Sequence, residues 1–309
     1  TENSGAIVNT GSEVGNGIYA LSLDGHLDIS NLPMSTKGAS YYLQEVKTLD
    51  GCVLDTTQYD AVFKQSDFTT KNYIKSFDVE NKTTDFEFNK TDVTGDKEVE
   101  GAQLTITDED GNVVDQWTSD GKVHSIEGLV VGKTYTLSET VTAKGYVKAT
   151  DIKFTVKNSS ELETVTMKDK QVFVSKTTVG GEEVTGAHMQ IIDEDGNIID
   201  EWYSEGKSHI ANGLEEGKTY TLHEDLSPLG FNLANDFTFE VTKEKENQTV
   251  EMIDTVTEVN KTDVDGKAVK EATLSIVSEK TKDIVDGYYF SFPFNRVYML
   301  EDILSMSQI

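Results

Sequence analysis

The chain has 309 residues, room for two or three domains rather than one. It carries 27 Lys and Arg against 55 Asp and Glu, a formal charge of −28, which repels phosphate backbones and anionic lipid heads and so argues against nucleic-acid and membrane-surface binding. Apolar residues make up 36 %, enough for small cores; no apolar run approaches the roughly 20 residues of a membrane helix, and the single cysteine, Cys52, excludes an internal disulfide and a multi-cysteine metal site.

The opening residues TENSGAIVNTGSEVGNG are polar and unlike a signal peptide. The N-terminal stretch then reads as a partial copy of a unit repeated further along the chain. GHLDISNLP and YYLQEVKTLDG lead to FDVENK, with Glu45 retained and Asn81 closing a run that places Phe77 and Val79 on the core face. No lysine-bearing strand is recognised ahead of Glu45 and Asn81, so this copy is expected to form an incomplete site. Two full copies come next. FEFNKTDVTGDKEVEGAQLTITDEDGNVVDQWTSDGKVH aligns with VFVSKTTVGGEEVTGAHMQIIDEDGNIIDEWYSEGKSH, and GLVVGKTYTLSE with GLEEGKTYTLHE. Trp117 and Trp202, Gly145 and Gly230, and Asp169 and Asp254 recur at one spacing, which sets a unit of about 85 residues. A last copy opens at Val256 with VTEVNKTDVDGKAVKEATLSIV and loses the pattern after about Asp286, so Lys261 is expected to lack a partner. The domains are therefore placed at 1–83, 84–170, 171–255 and 256–309, the first and last incomplete.

Within each unit the apolar period is two, broken by Gly- and Asp-rich turns, as in an all-β sandwich. No amphipathic helix is evident. Asp169-Lys170-Gln171 leads straight from one unit into the next, so the units are expected to stand end to end with little hinge freedom.

Three charged residues per unit violate the alternation. Lys90 falls on the face of Phe86 and Phe88, Glu139 on that of Tyr135 and Leu137, and Asp169 on that of Val165 and Met167. The next unit repeats all three with Lys176, Glu224 and Asp254. A buried unpaired charge costs several kcal/mol, so such groups must neutralise, pair or react. Burial favours neutral forms, and a neutral amine facing a protonated carboxyl can attack it while a neighbouring Glu shuttles protons. The expectation is amide cross-links Lys90–Asp169 and Lys176–Asp254, assisted by Glu139 and Glu224. Strand ends that reach solvent, or ordinary salt bridges, are the open alternative.

The same residues carry a family resemblance. The FNKTD and VNKTD strands, the small residues at Gly101-Ala102 and Gly186-Ala187, GL-x-x-GKTYTL-x-E, and a Gly-aromatic pair six residues later resemble the B-type repeats of Gram-positive collagen adhesins and the SpaA-type pilin domains. The resemblance implies tandem prealbumin-like (transthyretin-like, Ig-like) sandwiches and Lys–Glu–Asn/Asp isopeptide sites. It also implies an extracellular, wall-attached stalk of an adhesin or pilin, linked to peptidoglycan by a sortase through the full-length parent. A module that itself contacts host matrix protein or glycan is the alternative. Both ends of the sequence look cut, and no sorting motif comes after the last copy.

Other signals are weaker. TDEDGNVV and IDEDGNII miss the calcium-loop spacing and read as hairpin turns, with a weak cation site as the alternative. His124 and His209 are taken as structural. Trp117 and Trp202 are taken as packing residues, with carbohydrate stacking the other option. Cys52 reads as a small core filler where the other units carry Tyr146 and Phe231, and not as a thioester nucleophile. No cofactor, metal or external substrate is expected.

Overall fold

The computed structural model describes residues 37–70, 74–228, 230–256 and 260–269, with shorter pieces at 8–9, 12–15, 18–21, 25–30, 32–33, 35, 273–277, 284–290 and 297–299. The chain divides into two units, Thr1–Lys170 and Gln171–Ile309.

The first unit opens with short strands: β1 (Val8–Asn9) pairs with β4 (Ile29–Ser30), and β2 (Ser12–Gly15) with β3 (Ile18–Ala20). β5 (Gly38–Leu43) and β6 (Tyr59–Lys64) form an antiparallel pair that buries Ala61 and Phe63. A six-residue helix, α1 (Gln65–Thr70), comes next, where sequence periodicity gave no helical signal because one and a half turns are too short to establish a period.

A sandwich then forms from β7 (Asp85–Asp92), β8 (Glu100–Thr107), β9 (Val113–Asp120), β10 (His124–Glu127), β11 (Thr134–Val141), β12 (Ile152–Thr155) and β13 (Glu163–Asp169). One sheet has the order β10-β7-β13, the other β12-β11-β8-β9. The first and last strands lie side by side and parallel, with Lys90 opposite Met167 and Asp92 opposite Asp169. Phe86, Phe88, Leu104, Ile106, Tyr135, Leu137 and Met167 fill the space between the sheets, as the period-two pattern requires. Gly101, at φ 89°, sits at a bulge between β8 and β9 that turns the Ala102 amide onto the Ser119 hydroxyl at 3.0 Å.

The second unit repeats this architecture with β14 (Val172–Thr178), β15 (Thr185–Ile192), β16 (Ile198–Glu205), β17 (His209–Ile210), β18 (Thr219–Leu226), β19 (Phe237–Glu240) and β20 (Gln248–Asp254). Its sheets are β17-β14-β20 and β16-β15-β18-β19, again with parallel first and last strands. A three-stranded sheet, β21 (Thr273–Val277), β22 (Ile284–Phe290) and β23 (Val297–Met299), completes the described elements.

Two expectations for the N-terminal copy need correction. Residues 74–82 form no strand, and Phe77 is exposed rather than core-facing, with Val79 half-buried. The reason is physical: alternation buries a side chain only where a second layer covers it. Cys52 is likewise half-buried, in an isolated bridge with Thr83 rather than in a core. This copy is tied to the next sandwich by a backbone bond from Thr84 to Gly51. The Asn158 side chain adds a clamp, meeting the Leu54 amide at 2.8 Å and its carbonyl at 3.2 Å.

Candidate functional site: a buried amine between two carboxylates

In the first sandwich the fold brings together residues from three strands. β7 carries Lys90 inward below Phe86 and Phe88, neighbouring β13 carries Asp169, and β11 of the opposite sheet carries Glu139. Lys90 is 2 % exposed, Glu139 2 % and Asp169 1 %; Lys176, Glu224 and Asp254 are 2 %, 0 % and 1 %. Lys90 Nζ donates to Asp169 Oδ1 and lies 3.1 Å from Glu139 Oε1. Lys176 Nζ does the same with Asp254 Oδ1 and, at 3.1 Å, Glu224 Oε1. The six residues singled out on strand parity thus form two triads, 79 and 78 residues apart between lysine and aspartate.

Each glutamate is aimed by its second oxygen. Glu139 Oε2 accepts the Ala149 amide at 3.0 Å, and Glu224 Oε2 the Ala234 amide at 2.6 Å. That anchor leaves Oε1 pointing at the amine. No other hydrogen-bond partner holds Glu139 Oε1, Glu224 Oε1 or Asp254 Oδ2 among the described residues. Buried, unsatisfied carboxyl oxygens are costly, and loss of an aspartate oxygen as water would remove one such cost.

The expected incomplete sites take a different form. Asn81 is exposed and Glu45 half-buried, and Asn81 Nδ2 donates to Glu45 Oε2 at 2.8 Å. Lys261 is exposed; its amine is 3.4 Å from the Thr262 carbonyl.

A cluster that sequence reasoning did not assemble closes the open edge of each sandwich. Trp117 on β9 stacks on His124 of β10 at 4.0 Å between ring centroids, and His124 Nε2 meets Asp115 Oδ2 at 2.8 Å. Trp202, His209 and Asp200 repeat it at 4.0 and 2.8 Å. The two edge strands belong to opposite sheets, so the cluster joins them. Burial raises the pKa of Asp200, but the His209 hydrogen bond and the Asn212 amide outweigh it and hold the carboxyl below its usual range. The signal in the sequence is the repeated spacing D-x-W with a His further along, which local patterning leaves as separate residues. The DEDGN loops are turns: Asp108 and Asp193 each accept amide bonds from two and four residues ahead. The side chains of Asn112 and Asn197, then their amides, hold both carboxyls below the usual range. Among the described residues no group of three or more His, Cys, Asp or Glu is placed to hold a metal, and no helix is long and apolar enough to cross a membrane.

Two all-β sandwiches in tandem, each with its first and last strands parallel and adjacent, define a protein built of prealbumin-like domains. The chain belongs to the family described as SpaA, prealbumin-like fold domain, whose model matches residues 84–171 and 170–256. No curated protein matches the sequence. Among solved structures, the chain is similar to the Bacillus anthracis TIE protein at 21 % identity, over 80 % of this chain and 47 % of that one, with a TM-score of 0.33. It thus spans about half that relative's length. It is also similar to the shaft pilin spaA from Lactobacillus rhamnosus GG, at 15 % identity over 57 % of this chain and 98 % of that one, TM-score 0.29. The Streptococcal ancillary pilin is 18 % identical over 77 % of this chain and 80 % of that one, TM-score 0.29.

Proposed function

We propose that this chain is a load-bearing segment of a Gram-positive surface adhesin or pilus, locked by amide cross-links Lys90–Asp169 and Lys176–Asp254. The observation that supports the reading is the duplicated buried triad, with each lysine and aspartate on adjacent parallel first and last strands. Lys Nζ attacks Asp Cγ, the Nζ–Cγ bond forms, and the Cγ–O bond breaks. The glutamate takes a proton from the amine and returns it to the departing oxygen, which leaves as water. The only chemistry is internal to the chain; no external substrate is turned over. In this reading a parent protein holds the segment outside the cell, attached to peptidoglycan by a sortase. A host matrix or glycan ligand belongs to other parts of that parent.

Tension enters a sandwich through its first strand and leaves through its last. A bond between them carries the load past everything enclosed between lysine and aspartate. In single-molecule pulling, each closed sandwich is therefore expected to withhold the extension of its enclosed 79 or 78 residues, about 270 Å at full stretch. Two unfolding steps of that length in the wild-type chain would overturn the reading.

A further inference from the structure

The lysine of each triad lies past the end of the short strand that flanks it. β10 pairs with β7 only from Asp85 to Phe88, and β17 with β14 only at Phe173 and Val174. Lys90 and Lys176 come two residues further on, where β13 or β20 still runs along one side but the flanking strand has ended on the other. Both lysines are 2 % exposed, so water does not reach their backbone groups freely, and a buried amide left unpaired is costly.

A turn of the chain takes over that side in both sandwiches. The Val99 amide donates to the Lys90 carbonyl and the Val184 amide to the Lys176 carbonyl, both at 2.7 Å. The lysine amide goes to a side chain instead: Lys90 N–H donates to Glu98 Oε2 at 3.0 Å, and Lys176 N–H to Glu183 Oε2 at 3.3 Å. Thr91 bridges to Glu98 and Thr177 to Glu183, which keeps each glutamate's own backbone in register. The glutamate lies eight residues after the lysine in one sandwich and seven in the other, so the contact survives a change in turn length. Glu98 and Glu183 are half-buried and stand apart from the triad glutamates, Glu139 and Glu224. An amide bond accepted by a carboxylate is charge-assisted and among the stronger kinds.

We propose that Glu98 and Glu183 are positioning residues for the amide cross-links, each holding the backbone of its lysine so that Nζ meets the aspartate. The inference rests on the cross-link reading above and adds a part that the triad does not supply. In the condensation Lys90 Nζ attacks Asp169 Cγ and the aspartate oxygen leaves as water; Glu98 carries no proton and forms no bond to either. With the Lys90 amide released, the end of β7 is held on that side by the Val99 bond and without the carboxylate. A misplacement of about 1 Å can slow a positioned reaction about 10²-fold. The role calls for an acceptor of the right reach rather than for a charge. Gln should therefore serve in place of Glu98, and Asp, one methylene shorter, should not.

The test follows closure by intact mass and peptide sequencing from the moment of cell-free synthesis of the full chain, with the Lys176–Asp254 bond of the same molecule as the clock. The wild-type chain is expected to lose two waters on comparable time courses. Glu98→Ala and Glu98→Asp should each dwell one water light, joined only between Lys176 and Asp254, and close Lys90–Asp169 at least about tenfold later. Glu98→Gln should close both bonds at wild-type rates, and Glu183→Ala should delay only Lys176–Asp254. Hydrogen exchange at the Lys90 amide reads the contact itself: slow in the folded wild type and in Glu98→Gln, fast in the Ala and Asp variants. Undelayed closure in Glu98→Ala and Glu98→Asp, or a delay in Glu98→Gln equal to theirs, overturns the positioning role and leaves the cross-links standing. A wild-type chain that never loses water overturns the cross-link reading itself, and the positioning role with it.

Discussion

Lys90→Met combined with Lys176→Met is expected to lower the melting temperature of the tandem sandwiches by about 20 °C or more. Two losses add in each domain. A cross-link enclosing 79 residues removes unfolded-state entropy worth about 4.5 kcal/mol by the loop-closure relation for disulfides, and each kcal/mol shifts a domain of this size by about 4–8 °C. Removing the amine also leaves two buried acids facing each other without a cation, which costs about 3–5 kcal/mol for a broken buried pair. Because that second cost would arise from a mere salt bridge too, melting alone does not discriminate. The denatured state does: the wild-type chain, looped twice by covalent bonds, should run faster on a denaturing gel than the lysine variant, which unravels fully. Equal mobility would leave only the ion pairs.

The second large effect is kinetic. Glu139→Gln keeps an oxygen for the Ala149 amide but cannot carry a proton from amine to leaving oxygen. The sandwich should fold, with Lys90 still beside Asp169, yet close its bond more slowly by about 10²–10⁴-fold, the usual worth of a positioned acid–base group. After correction for the substitution, freshly purified Glu139→Gln protein should be one water heavier than wild type while the Lys176–Asp254 bond closes normally. Glu224→Gln should give the mirror result. Closure at wild-type rate in either variant would remove the glutamates from the mechanism.

Strand parity carried much of this architecture because both layers of each sandwich are present. With a sheet above and below, a side chain's face decides its burial, so Lys90, Glu139 and Asp169 could be placed inside from the alternation of Phe86, Phe88, Tyr135, Leu137 and Met167 alone. The same rule failed at Phe77, where the alternating pattern survives but residues 74–82 form no strand. Parity states which residues share a face and is silent on whether anything covers it. The Trp–His–Asp clusters escaped for another reason: Trp117 and His124 lie on edge strands of different sheets, and their stacking depends on how the sheets close, which no local period encodes. Helix α1 is too short to register at all. The glutamate's second hydrogen bond, which aims it, also lay outside the sequence pattern. Only the folded chain shows that the Ala149 and Ala234 amides meet the same oxygen of their glutamates.

Intact-protein mass spectrometry of the wild-type monomer, followed by sequencing of proteolytic fragments, tests the internal cross-links most directly. The mass should fall about 36 Da below that of the sequence, for two waters, with branched peptides joining Lys90 to Asp169 and Lys176 to Asp254. A monomer at its full sequence mass, yielding only linear peptides across those four residues, would contradict it.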